Sequence, residues 1–253
     1  PIVITGLGIV SPLGNGVENY IEAYKEGKKI EGGSVRSTVS TDDYNPLGLK
    51  MAFYRKLDNF SQLQAVSGMY AIKDANYEVT EENAFKTGII VGTSEGALGP
   101  GCDFETLIAD HGNAHGSAFK FPNTVYNAAG GYLSICAGVK GYNVTVTNGA
   151  QSGLQSFAYA VNVLRNGWAD AMLATGSDEN SDIMDELYKG LNLVADGYVA
   201  PYAGKDKFSL SDGSVSVMLE TEEEAKKRGA KVYAHVLGYG MAHKSVPFGT
   251  IKG

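Results

Sequence analysis

The stretch Val144-Thr-Val-Thr-Asn-Gly-Ala-Gln-Ser-Gly153 carries the most distinctive chemical signal in the chain. A β-branched run enters a glycine-flanked turn and leaves it directly as a helix, so one side chain is presented at a helix N-terminus. There the macrodipole and unpaired backbone N–H groups favour a thiolate, an alkoxide or an oxyanion. This is the shape of a nucleophile elbow, yet no nucleophile is obvious in it. Ser152 is the only hydroxyl inside the turn, and an acyl-transfer serine needs a histidine base beside it. His111, His115, His235 and His243 are the histidines, and none has an acid at a telling spacing. Ser152 is therefore expected to cap the helix.

Other residue clusters invite weaker chemistry. His111 and His115 are four apart, as metal ligands on a helix would be, but Gly112 and Gly116 break the helix they need, so no metal is expected. Asp178, Glu179, Asp182, Asp185 and Glu186 form an acidic group that reads as a solvated helix face with acids at its N-terminus. Asp206 and Asp212 are expected to orient loops. Gly6-Leu7-Gly8 follows a short strand, but the dinucleotide fingerprint wants a small third residue at position 11, where Ser11-Pro12 stands. No cofactor is expected. Phe104, Leu107, Phe119, Phe121, Val125 and Tyr126 could line an apolar tunnel or be ordinary core.

The elements that must position these residues alternate. Ile2–Thr5 reads as a strand running into a glycine turn, and 15–27 as an amphipathic helix through Val17, Tyr20, Ile21 and Tyr24. Residues 28–60 show no sustained period and read as an irregular excursion. Helices are expected over 61–77, 122–138, 153–166 (with Leu154, Phe157, Ala158, Val161 and Leu164 inward), 181–188 and 222–228. Strands are expected over 87–92, 142–147, 169–175, 214–220 and 232–239. That pattern is layered α/β, and residues 1–253 read as one folding unit. The loop-like end, 241–253, suggests that more protein follows or covers that edge.

Composition narrows the functional classes. The chain has 253 residues, 43% of them apolar or aromatic, enough to bury a core, so disorder is excluded. Its 21 basic and 28 acidic side chains give a net charge of -7, which argues against nucleic acid as a partner. No apolar run approaches the roughly 20 residues of a membrane helix, no signal-peptide pattern opens the chain, and the cytoplasm is the expected compartment. Cys102 and Cys136 are expected as free thiols.

Taken in order, the motifs resemble those of the β-ketoacyl-ACP synthases, the condensing enzymes of fatty-acid and polyketide synthesis. The opening strand and loop (3–15), the glycine loop 91–99, the segment 122–130 before the elbow, the strand 167–176 after it, Phe208-Ser-Leu-Ser-Asp-Gly213 and the stretch 227–240 all resemble the family. The resemblance implies a thiolase-like fold of αβαβα layers with only the N-terminal half present, a dimer, and catalytic histidines that belong to the other half. It also implies a cysteine at the elbow, in a pattern close to Thr-Ala-Cys-x-Ser/Thr-Gly. Counting from Pro122 to Gly153 puts Ala150 at that vacant nucleophile position, with Gly149 and Gly153 shaping the turn.

A methyl group forms no thioester, so two explanations compete. Chain-length factors resemble condensing enzymes but have lost the cysteine, often to glutamine, and help shape the acyl tunnel of an active partner ketosynthase. Gln151 lies one place beyond that signature. The alternative is a cysteine-to-alanine or truncated form of a 3-oxoacyl-ACP synthase; a third reading is a half-domain that only binds carrier protein. Asn148-Gly149 in place of Thr-Ala favours the noncatalytic subunit. Phe104, Leu107, Phe119, Phe121 and Tyr126 are then candidates for the tunnel wall. The implied partners are a ketosynthase subunit or a second copy, and an acyl carrier protein.

Overall fold

In the computed structural model, which describes residues 1–31, 34–200 and 207–242, the β-branched runs form one mixed sheet. The chain begins with β1 (Ile2–Val10), α1 (Val17–Lys25), the two-residue β2 (Ser34–Val35), short α2 (Thr41–Tyr44) and α3 (Met51–Tyr54), and long α4 (Asn59–Asp74). There follow β3 (Thr87–Gly92), α5 (Leu98–His111), α6 (Ala128–Ala137), β4 (Asn143–Val146), α7 (Ser152–Arg165) and β5 (Ala171–Asp178). Last come α8 (Asp182–Gly190), β6 (Leu210–Ser211), β7 (Gly213–Thr221), α9 (Glu222–Lys227) and β8 (Ala234–His235). The strand order is β4-β3-β5-β7-β1-β8, with β4, β3 and β5 parallel and β7 antiparallel between β5 and β1.

Helices cover both faces of this sheet, which is why its central strands read as unbroken apolar runs. All six residues of β3 are buried. Ile89 and Val91 pack with Phe60 and Ala71 of α4 and Leu133 of α6, whereas Ile90 packs with Ala160, Val161 and Leu164 of α7. The period-two alternation of the strand thus sorts side chains between two helical layers, each such burial contributing about 1.5–3 kcal/mol. α4 is buried along most of its circumference, because Tyr44, Tyr54 and Leu57 close over its Leu63 and Val66.

Several expectations change. β1 runs straight through Gly6-Leu7-Gly8, so those glycines are not a turn. A Cβ on Gly6 would overlap the Ala71 carbonyl and one on Gly8 the Ser67 carbonyl; the bare backbone lets α4 cross β1 closely. The apolar stripe of α1 is only partly covered: Val17 and Tyr20 are half-buried, Ile21 and Tyr24 are exposed, Tyr24 at 74%, and Ala23 is its buried residue. The excursion at 28–60 holds β2, α2 and α3, and α2 opens on a capping box between Ser40 and Asp43. The helix expected from 122 begins at Ala128, after one 3-10 turn at Phe121–Thr124. The final strand shrinks to β8, which pairs with β1 only at Val3 and Ile4, ahead of the register irregularity at Gly6. Asp206 and residues 243–253, including His243, lie outside the described residues.

Candidate functional site

β4 delivers the chain into the elbow and α7 carries it away, and the turn between them is held by its own backbone. Gly149 adopts φ +59°, a left-handed conformation that favours glycine. Ser152 is not the helix cap expected of it. It is the first residue of α7, and its buried Oγ accepts from the Asn148 N–H at 2.7 Å and donates to the Gly149 carbonyl at 2.7 Å. A hydroxyl clamped in this way closes the turn. The elbow then docks on the sheet through three glycines. A Cβ on Gly92 would overlap the Ser152 carbonyl, and one on Gly153 would come within 3.3 Å of the Gly176 Cα.

Ala150 sits in this turn with its methyl group exposed. It borders a cleft of about 250 Å³, lined also by Gly149, Gly153, Gly176, Asp178 and Gly213. No side chain at position 150 can attack a carbonyl, although the helix N-terminus that would stabilise a thiolate is intact.

Asp178, read from sequence as part of a solvated helix face, ends β5 and organises the second glycine loop. Its carboxylate accepts from Thr93 Oγ1 at 2.6 Å, the Ser94 N–H at 2.9 Å and the Glu95 N–H at 2.8 Å. Glu179 departs further from that reading. It is only 8% exposed, and burial, reinforced by Asp58, pushes its carboxyl up to about 7. Asp182 and Asp185 do lie on α8, paired with Arg36 and Lys189. Asp212 is buried and accepts from the Ser37 and Asn180 N–H groups, the loop-orienting role expected for it.

The apolar candidates fall elsewhere. Phe104 and Leu107 lie half-buried on α5, with the Phe104 ring 5.8 Å from that of Phe121. The Tyr126 ring lies where a Cβ on Gly96 would be, and Phe119 is 86% exposed. None of the five is fully buried, and none lines the cleft at Ala150. Leu154, expected inward, is 79% exposed in the first turn of α7. Helical spacing marks a face but not what covers it. His111 ends α5 and His115 sits on a separate 3-10 turn, their rings 5.4 Å apart; among the described residues no three potential ligands converge on a metal position. Nor, among those residues, is any helix long and apolar enough to cross a membrane.

The family model for the beta-ketoacyl synthase N-terminal domain matches residues 1–225. The chain belongs to the β-ketoacyl synthase family. It is 32% identical to the 3-oxoacyl-[acyl-carrier-protein] synthase 2 of Vibrio harveyi, over 95% of this chain and 62% of that protein. The same-named protein of Vibrio cholerae is also 32% identical, over 95% of this chain and 63% of its own length. The chain thus spans less than two thirds of the curated relatives it matches. Among solved structures, a beta-ketoacyl synthase from Burkholderia phymatum superposes with TM-score 0.75 at 20% identity, over 91% of this chain and 61% of that one. The ishigamide ketosynthase/chain length factor gives TM-score 0.75 at 21% identity, over 94% and 62%. The fold is therefore the thiolase-like ketosynthase fold.

Proposed function

We propose that the protein is a ketosynthase-like subunit that does not itself condense, and that it shapes the acyl tunnel of an active partner ketosynthase in fatty-acid, polyene or polyketide assembly. The observation that carries this reading is a well-formed elbow at the head of a 14-residue helix that presents the methyl group of Ala150, at the position the motif resemblance aligns with the family's nucleophile. The departure extends to Asn148-Gly149, so the turn has diverged around the site as well as at it. A structural neighbour that is itself a ketosynthase/chain length factor lends support, as does one described as a type II PKS acyl-carrier protein in complex with its ketosynthase. The proposed partners are a ketosynthase chain, or a second copy, and an acyl carrier protein. Phe104, Leu107, Phe119, Phe121 and Tyr126 are the proposed tunnel wall, completed by surfaces outside this chain.

The test is chemical. Incubated with acyl-ACP, the protein should show no acyl adduct by mass spectrometry, whereas Ala150→Cys should gain one. A stable adduct on any residue of 147–153 in the unchanged protein overturns the reading. A second reading, a 3-oxoacyl-ACP synthase carrying alanine for cysteine, is favoured by the names of the curated relatives. It predicts that Ala150→Cys restores condensation without a partner ketosynthase, while the first reading predicts product only when that partner is co-expressed.

A further inference from the structure

Glu179 sits where three elements meet. Its Oε1 lies 3.0 Å from the position a Cβ would take on Gly99, in the first turn of α5. The Asn59 side chain and the Phe60 N–H, at the start of α4, face the same carboxyl and favour its ionised form. The residue itself follows the last position of β5. Among the described residues the titratable groups that act on it are acidic: Asp58 before α4, whose carboxyl burial pushes up against the Ser61 hydroxyl and N–H that favour its charge, and Asp212 before β7, which is 1% exposed and accepts from two backbone N–H groups. On α5 the first charged residue is Asp103, a turn further on. Ion pairs on the neighbouring α8 engage Asp182 and Asp185, and among the described residues no Lys, Arg or His reaches Asp58, Glu179 or Asp212. Nor do these carboxylates converge into a metal-ligand set.

Two neighbouring buried carboxyls, Asp58 and Glu179, cannot both remain charged at small cost without a counter-cation, and the neutralising agent left is a proton. We propose that Glu179 is a proton-dependent latch: neutral, it lets the starts of α4 and α5 close on the end of β5, and ionised, it loosens the first turns of α5. The direction of its shift agrees, burial first and Asp58 second both disfavouring the charge. α5 is the element able to respond, because none of its 14 residues is fully buried and its opening is correspondingly inexpensive. The latch does not depend on the tunnel reading, although α5 carries Phe104 and Leu107.

The experiment is amide hydrogen exchange on the full chain at pH 6 and pH 8, corrected for intrinsic rates and read over 98–111, with a carbon-13 titration of the Glu179 carboxyl alongside. Protection of the first turns of α5 should fall up to about tenfold from pH 6 to pH 8, since each unit above the midpoint is a factor of ten. Glu179→Gln should hold the pH 6 level at both values, and Asp58→Asn should move the Glu179 midpoint downward. Protection that is independent of pH in the unchanged protein overturns the latch, as does a pH response surviving in Glu179→Gln. A Glu179 midpoint below about 5 overturns it too, since a cation from outside the described residues would then pair with the carboxylate. None of these readouts involves acyl products, so failure of the latch and failure of the proposed function are separable.

Discussion

The elbow and α5 lie on the same molecule and are built in opposite ways. At the elbow, backbone meets backbone: Gly92 has no room for a side chain, Gly153 and Gly176 are packed closely against each other, Gly149 takes a left-handed conformation, and Ser152 ties the turn with two hydrogen bonds. α5 has no fully buried residue, and its ring partner Phe121 is itself exposed. The turn that presents Ala150 is fixed by packing, whereas the apolar residues proposed to meet an acyl chain stand partly or largely exposed. The glycines specify the turn, and the side chain at position 150, exposed in it, is free of that packing.

Substitutions that oppose the two regions test this contrast. The largest effect is expected at Gly92→Ala, whose methyl group would collide with the Ser152 carbonyl; a loss of about 3 kcal/mol in chemical denaturation is expected, and a near-neutral result would mean the elbow is less tightly docked. Next comes Glu179→Gln. The folded carboxyl sits near 7 against an ordinary 4.5, so the stability linked to its proton is full below 4.5 and is lost as pH rises through 7. The variant should gain on the order of 2 kcal/mol at pH 8, the gain shrinking toward pH 4.5 in thermal melts.

Smaller effects are expected from α5 itself. Phe104→Ala, at a half-exposed pair with Phe121, should cost about 1 kcal/mol and, co-expressed with a partner ketosynthase, lengthen products by opening volume for extra methylenes, each worth about 0.8 kcal/mol. Normal assembly with an unchanged product profile for all five tunnel candidates would return the length-setting role to other residues. Gly101→Ala meets only the Thr124 carbonyl at 4.0 Å and should stabilise α5 by about 0.8 kcal/mol. Ala150→Cys, exposed in its turn, should change stability by less than about 0.5 kcal/mol while changing the chemistry most.

Much of this was legible in the residues. Thr87–Gly92 reads as a strand because its run is continuous and β-branched, and β3 has those bounds. The strand-turn-helix spacing around Ala150 pointed to an elbow, because a β-branched run, two glycines and an amphipathic repeat admit few other local conformations. The order of motifs pointed to the family before any contact was known.

Tertiary structure decided what depends on neighbours distant in sequence. Gly6 and Gly8 look like a turn until α4 is seen crossing them, and Ser152 looks like a cap until Asn148 is seen donating to it. Glu179 belongs by sequence to an exposed acidic helix face; only the meeting of α4, α5 and the end of β5 buries it beside Asp58. Local propensity and periodicity act through residues a few positions apart and so are written in the sequence, whereas burial and proton affinity depend on which segments close over a group, and that is settled only when the layers pack.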